Sequence, residues 1–268
     1  MELRELQNRL TEILFTIDDF CKENGIPYYL EGGTALGAVR HKGFIPWDDD
    51  IDICMDIKDY EKFCNLFIQA PPKGLALQIH RTDHNYINGY GKVRDLNTLT
   101  KEDRINIDYK YKGLFVDVFP YEEVNPLLMR ISHLCFHRVL FWMASKKWKK
   151  YGLGFIILNV LFYISVFFDS ICRLLTKVLP STYSYTYGCN AYAHMNQMNK
   201  NLFLPARYIE FEGRKLPVAN KIEIILTNFY GDYMRIPPIG ERPHPHFNDT
   251  IVLQSHSNKS ERTMQKNI

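Results

Sequence analysis

Leu3, Leu6, Leu10, Ile13, Leu14, Ile17 and Phe20 recur at helical spacing, so residues 2–23 read as an amphipathic helix. Asn24-Gly25 ends it, with Pro27 just beyond. Residues 27–31 form a short predicted strand leading into Gly32-Gly33, and Thr34 is placed to cap the next helix. HKGF at 41–44 reads as a turn, and residues 51–55 alternate as a strand. From Asp56 to Gln69 the apolar positions Ile57, Tyr60, Phe63, Cys64 and Phe67 fall on one side of a helix, which Pro71-Pro72-Lys73-Gly74 breaks. Strands are predicted at 75–81, 86–94 and 113–119. In the last, Leu114, Val116 and Val118 share one face, Phe115, Asp117 and Phe119 share the other, and Pro120 is expected to stop the strand. Alternating helix and strand over the first 120 residues indicate an α/β class.

The pattern changes near residue 125. Residues 125–180 read as helical and very apolar, and Tyr151 to Phe168 is an 18-residue run without a charge, preceded directly by KKWKK at 146–150. That length is at the lower limit for crossing a membrane. A buried core helix and an interfacial element are the alternatives. The aromatics and the lysine cluster suit an anionic membrane surface, which favours monotopic association. Residues 181–247 are mixed, with a helix at about 219–230 and a proline-rich loop, and 254–268 is a polar tail expected to fray. The expected division is a catalytic core over 1–124, an apolar helical segment over 125–180, a part packing on the core over 181–253, and the tail.

Composition narrows this further. Of 268 residues, 46% are hydrophobic and 24% charged, enough to bury a core and unlike a disordered chain. A net charge of +3 gives no case for nucleic acid. Six cysteines without a CxxC pair read as reduced, packed thiols of a cytosolic protein. The charged amphipathic N-terminal segment has no signal-peptide character.

The chemistry concentrates in residues 31–56. Asp48, Asp49, Asp50 and Asp52 occupy four of five positions. Strand alternation puts Asp50 and Asp52 on one face with Ile51 and Ile53 on the other; it turns Asp49 away and leaves Asp48 at the strand's entrance. Two carboxylates at that spacing suit Mg²⁺ together with substrate phosphates. A bare DxD says little, since a solvated acidic turn has the same pattern. Here a Gly-Gly turn precedes it, and Asp117 sits alone in an apolar strand, where desolvating it requires a partner: a shared metal, or a lysine or arginine. Gly32 and Gly33 let backbone amides approach a phosphate, though a tight turn explains them equally. Arg40, Lys42, Lys92 and Arg94 are the candidate phosphate-side cations. Lys92 and Arg94 share a strand face, which a solvated edge strand would also explain. Cys189, His194, His244 and His246 lack any zinc-ligand spacing and read as loop residues.

Several blocks resemble the LicD family and, more distantly, the fukutin-related phosphotransferases. They are Glu31-Gly32-Gly33-Thr34, Leu36 to His41, Pro46 to Ile53, Lys92 to Asp95, Gly113 to Pro120, and Tyr230 to Met234 with Pro237-Pro238. The resemblance implies a DNA-polymerase-β-like nucleotidyltransferase fold, with a mixed sheet and flanking helices. It also implies transfer of a phospho-alcohol, most often phosphocholine, from a CDP-linked donor such as CDP-choline. The expected acceptor is a sugar hydroxyl of a glycan or lipid-linked glycan: a lipopolysaccharide, teichoic-acid or capsule precursor. Asp50 and Asp52 map onto metal ligands, with Asp117 as the expected third carboxylate, for two Mg²⁺ or Mn²⁺ ions and no organic cofactor. Gly32, Gly33, Thr34, Arg40, Lys92 and Arg94 map onto the donor side. The implied location is cytoplasmic, at the inner face of the membrane. Two rival readings are a nucleotidyltransferase passing a nucleoside monophosphate to a small molecule, and a non-catalytic membrane-associated scaffold.

Overall fold

A computed structural model describes residues 2–100, 109–146, 152–187, 198–242 and 252–253. Lys147–Lys150, Tyr151, the four residues weighed for zinc and the tail from 254 lie outside the described residues. Helix α1 (Leu3–Glu23) buries Leu6, Leu10, Ile13, Leu14 and Ile17 of the predicted stripe, with Cys21 beside them, and leaves Leu3 exposed. Then come β1 (Tyr29–Leu30), α2 (Gly32–His41), β2 (Asp52–Asp56), α3 (Ile57–Gln69), β3 (Leu75–Gln78), β4 (Gly91–Asp95), β5 (Thr98–Leu99) and β6 (Phe115–Val124). Phe20 of α1 meets Phe63 and Phe67 of α3 edge-on, with ring centres 5.8 and 5.0 Å apart, and closes the core under these helices.

The main sheet is mixed. Its order is β1-β2-β6-β4-β3, and β7 (Thr182–Tyr185) also pairs with β6. Only β2 and β6 run parallel, with Asp52 opposite Asp117. The other ladders of this sheet are antiparallel. The architecture is thus α/β with a mixed sheet and flanking helices.

Pro120 does not end β6, contrary to the sequence expectation. Asp117 donates its N–H to Ile51 of the β2 side, so residues 118 and 120 present their amide positions to the opposite side. There β4 pairs as far as Val118 and β7 begins at Tyr121. Pro120 falls at the changeover, where a missing N–H costs no ladder bond. Other boundaries also differ from the pattern: the strands expected at 27–31 and 75–81 shorten to Tyr29–Leu30 and Leu75–Gln78. The strand expected at 86–94 is confined to Gly91–Asp95, after an Asn88-Gly89 turn signal. Thr34 is not a cap but lies inside α2, which starts at Gly32 with Glu31 at the cap position.

The apolar segment forms α4 (Pro126–Ser132), a π-helical turn (His133–His137) and α5 (Arg138–Ala144), followed by α6 (Leu153–Thr176). Helix α6 lies along the body on one stripe, burying Leu158, Ser165, Asp169, Cys172 and Thr176. Polar ties reinforce that stripe. Arg173 Nε donates to both oxygens of Glu122 at 3.0 and 2.9 Å, and Arg173 also reaches Thr186 Oγ1 at 2.9 Å. Ser132 donates to Asp169, and Phe162 stacks on His80 with ring centres 3.6 Å apart. The opposite stripe, including Leu153, Ile156, Val160, Tyr163, Phe167, Ile171 and Leu174, is exposed.

The C-terminal part returns to the main core. The hairpin β8 (Arg207–Phe211) and β9 (Arg214–Val218) and helix α7 (Ile222–Tyr230) contribute Phe211, Leu216, Val218, Ile222, Ile225 and Leu226 to it. A short β10 (Val252–Leu253) pairs with β5. Cys21, Cys54, Cys64 and Cys172 are buried free thiols, and Cys135 is exposed.

The Arg173–Glu122 pair gives a direct test of how α6 is held. Arg173→Leu strands a carboxylate only 9% exposed. Because the Arg173 side chain is itself 37% exposed, the expected loss is about 2–3 kcal/mol rather than the larger loss at a fully buried pair. Urea unfolding of the variant and the parent measures it.

Candidate active site

The loop between α2 and β2 supplies the carboxylates. Gln7 of α1 donates to the Asp48 carbonyl at 2.9 Å, which fixes the loop on the first helix. Asp48, Asp49 and Asp50 present carboxylate oxygens within 4.8 Å of one another, a donor set that fits a hard divalent cation. Asp50 precedes β2, which starts at Asp52. Burial alternates through this stretch all the same: Asp49, Ile51 and Ile53 are buried, while Asp48, Asp50 and Asp52 are half-buried. Asp50 and Asp52 both line the same open cleft of about 730 Å³. Asp49, which the strand pattern turned away, is buried and belongs to the cluster.

The Gly-Gly turn is shaped by these acids. Gly32 has φ +52°, and a side chain there would meet Asp52 Oδ2 at 3.3 Å; one on Gly33 would meet Asp48 Oδ2 at 3.0 Å. Glycine lets the N-terminus of α2 lie against the carboxylates. The partial positive charge of that helix end offsets part of their mutual repulsion. Thr34 contributes from inside the helix: its Oγ1 accepts the Asp52 N–H at 2.9 Å and ties α2 to the first residue of β2.

Asp117 is brought beside Asp52 by register, since paired residues of a parallel ladder share a face. Its observed partner is Lys92, whose Nζ donates to Oδ1 at 2.6 Å with both side chains nearly buried. The Lys92 ammonium also lies 3.4 Å over the centre of the Phe115 ring. Arg94 is fully buried, donating to Gln78 Oε1 at 2.7 Å and the Gly113 carbonyl at 2.9 Å. Neither Lys92 nor Arg94 lines the cleft. They sit on β4, an interior strand between β6 and β3, which rules out the alternative of a solvated edge strand.

Arg40 does line the cleft, but its guanidinium donates to the backbone carbonyls of Tyr233 (2.9 Å) and Arg235 (3.2 Å). It thereby holds the segment after α7 against α2. The Lys42 backbone carbonyl receives the Glu212 N–H. Lys42 is not among the cleft residues.

The segment after α7 completes the cleft with residues to which no role had been given. Tyr230, Asp232, Tyr233 and Arg235 line it, together with Trp47, Phe119 and Phe229. Burial of its hydroxyl end raises the Tyr230 phenol, and the negative charges of Glu31, Asp52, Asp48 and Asp50 raise it further. The YGDYM block was visible as a motif. Its contact with the acids was not, because it lies about 180 residues downstream.

An acidic, cation-compatible cleft over a mixed sheet, walled by arginine and aromatic side chains, suits the handling of phosphate groups through a divalent cation. Residues 25–149 match the family described as LicD/FKTN/FKRP, nucleotidyltransferase domain. The chain is 29% identical over 272 residues to the lipopolysaccharide cholinephosphotransferase LicD of Haemophilus influenzae, an alignment covering 94% of this chain and 99% of that protein. It is 29% identical over 123 residues to the ribitol-5-phosphate transferase FKTN of Mus musculus, covering 45% of this chain and 23% of that protein. A 35-residue stretch is 51% identical to the human ribitol 5-phosphate transferase FKRP, covering 13% of this chain and 7% of that protein. The chain thus carries a LicD-type domain over residues 25–149, and its similarity to the cholinephosphotransferase and the ribitol-phosphate transferases makes it a phosphotransferase.

The buried acids give the site a pH signature. Burial raises the Asp52 carboxyl well above the carboxylate range, and Asp50, Asp117, Asp48 and Glu31 raise it further. Burial also raises Asp117, with Lys92 pulling back against it. Each carboxyl therefore keeps its proton in the folded chain at a pH where the unfolded chain has lost it. Deprotonation then penalises the folded state, so stability falls as pH rises through that window. In chelating buffer the melting temperature should rise as pH is lowered toward the ordinary carboxylate range, and Asp52→Asn should flatten the rise. Thermal unfolding at successive pH values measures the slope, and a melting temperature that falls steadily over the same descent in the parent contradicts it.

Proposed function

We propose that this chain transfers phosphocholine from CDP-choline to a sugar hydroxyl of a cell-surface glycoconjugate precursor, working at the inner face of a bacterial cytoplasmic membrane. The observation that carries the reading is the near end-to-end similarity to a lipopolysaccharide cholinephosphotransferase, joined to the acidic cleft. The acceptor class we infer is a lipopolysaccharide, teichoic-acid or capsule intermediate, free or lipid-linked, and the underlying fold a polymerase-β-like nucleotidyltransferase. Choline is preferred over a polyol because Trp47, Phe119, Phe229, Tyr230 and Tyr233 line the same cleft as the acids. Aromatic faces and carboxylates suit a quaternary ammonium, whereas a polyol needs a denser array of hydrogen-bonding groups.

In this reading Asp50 and Asp52, with Asp48 and Asp49 beside them, hold Mg²⁺ or Mn²⁺, and Asp117 is the third carboxylate of the centre. The bound ions, two in our proposal, supply neutralisation of the donor diphosphate and of the departing CMP. The chain's residues do the rest. The amides at the start of α2, Gly33 and Thr34, receive phosphate oxygens, and Gly32 and Gly33 keep that approach open. Arg235, on the cleft wall, faces the donor. Arg40 holds the segment after α7 that carries Arg235, and Lys92 and Arg94 act from behind the cleft by fixing β6. The acceptor oxygen forms a bond to the choline-bearing phosphorus, the anhydride bond to CMP breaks, and the acceptor proton passes to an Asp117 carboxylate oxygen. Burial raises that carboxylate's proton affinity, which suits a general base.

The test is CMP release with Mg²⁺ or Mn²⁺ and a panel of CDP-choline, CDP-glycerol and CDP-ribitol. Preferential turnover of CDP-choline is expected. Asp50→Asn and Asp52→Asn should each lower it by about 10³-fold or more while circular dichroism stays unchanged, because each removes charge but little volume. Near-normal turnover in either variant sinks the metal assignment. Pyrophosphate release from a nucleoside triphosphate, with none of the CDP-alcohols used, would replace the reading with nucleotidyl transfer.

A further inference from the structure

The exposed stripe of α6 and the outer side of α4 and α5 form one apolar surface that the catalytic reading does not use. Trp142, Tyr163, Phe167, Leu174 and Val178 are 61, 58, 68, 63 and 82% exposed. Surface of this character on a folded chain marks an interaction site. Its charge identifies the partner. Between Asn125 and Pro180 the sequence carries eight Lys/Arg and a single acid, Asp169. That acid is 4% exposed and turned inward onto Ser132. The outer side of this region therefore holds no carboxylate among the described residues, whereas Arg130, Arg138, Lys146 and Lys177 are exposed on it.

We propose that this surface docks onto an anionic lipid bilayer, with α6 lying in the headgroup layer and not crossing it. Aromatic and aliphatic side chains on one face, with flanking basic residues, are what such a helix needs. By length and composition α6 is apolar enough to span, and it is the one such helix among the described residues. Three contacts argue against spanning. Asp169 is bound to Ser132, Arg173 to Glu122 of the catalytic sheet, and Phe162 to His80. Crossing the bilayer would strip all three from their partners and place Asp169 and Arg173 in hydrocarbon. An acidic protein surface as partner would satisfy the basic residues but leave the apolar stripe in water.

Flotation of the full chain with vesicles tests this without reference to catalysis, so a failed docking and a failed transferase reading remain distinguishable. The chain should float with vesicles containing about 30% phosphatidylglycerol and bind at least about tenfold less to pure phosphatidylcholine. Raising salt from about 0.1 to about 0.5 M should release it. Phe167→Asp with Leu174→Asp should weaken flotation about tenfold or more while circular dichroism and melting temperature hold. If that pair unfolds, Arg130→Gln/Arg138→Gln/Lys177→Gln, which leaves the apolar stripe intact, should reduce the phosphatidylglycerol preference. Equal flotation of parent and both variants overturns the proposal. Retention in vesicles after an alkaline carbonate wash also overturns it, in favour of a spanning helix. Self-association abolished by Phe167→Asp/Leu174→Asp, without vesicle binding, overturns it in favour of a second copy.

Discussion

Asp52 and Asp117 lie opposite each other across the β2–β6 ladder, and the rest of the catalytic core answers to the cost of holding those carboxylates together. Their repulsion is met locally by Lys92 on the neighbouring strand and by the N-terminal end of α2. Each of these fixes something else. Lys92 requires β4 to be an interior strand, and α2 can lie close only because Gly32 and Gly33 have no side chains. In the proposed reading the arrangement stores negative potential for a divalent cation instead of minimising the energy of the metal-free chain. A neutral sheet of the same shape would be more stable and could not recruit the ion.

Much of the core was legible because strand and helix periods leave unmistakable traces. Alternation singled out Asp117 as an isolated acid in an apolar strand, and helical spacing gave most of the buried face of α1, missing Gln7, Asp18 and Cys21 and including Leu3, which is exposed. The same alternation runs ahead of the strand itself: Asp50 precedes β2, yet burial alternates from Asp48 to Ile53. For Lys92 and Arg94 a shared strand face left a donor-side role and a solvated edge strand both open. Strand order is not written in local periodicity; only the ladder showed that β4 has neighbours on both sides. The wall made by Tyr230, Asp232 and Arg235 was hidden for a similar reason, since proximity to the acids is created by α7 packing rather than by chain distance.

The helical excursion between β6 and β7 shows how a soluble-looking core can carry a very apolar appendage without losing its own integrity. The inward stripe of α6 is not purely hydrophobic: Ser165, Asp169 and Thr176 are buried in it, and Arg173 reaches back to Glu122. Such polar contacts specify how the helix sits, where apolar packing alone would tolerate rotation about its axis. The outer stripe then faces one direction only.

Pro120 acts on β6 as a pawl acts on a ratchet. A strand can in principle slide by two residues and keep its facing pattern, because the pleat repeats every second residue. Moving Pro120 by two toward either end would put its missing donor opposite β4 or β7, where a ladder bond is required. One ring therefore indexes the whole ten-residue strand, and with it the level of Asp117 against Asp52. The height of the Asp117 carboxylate is in this way set by an imino acid three residues along the same strand.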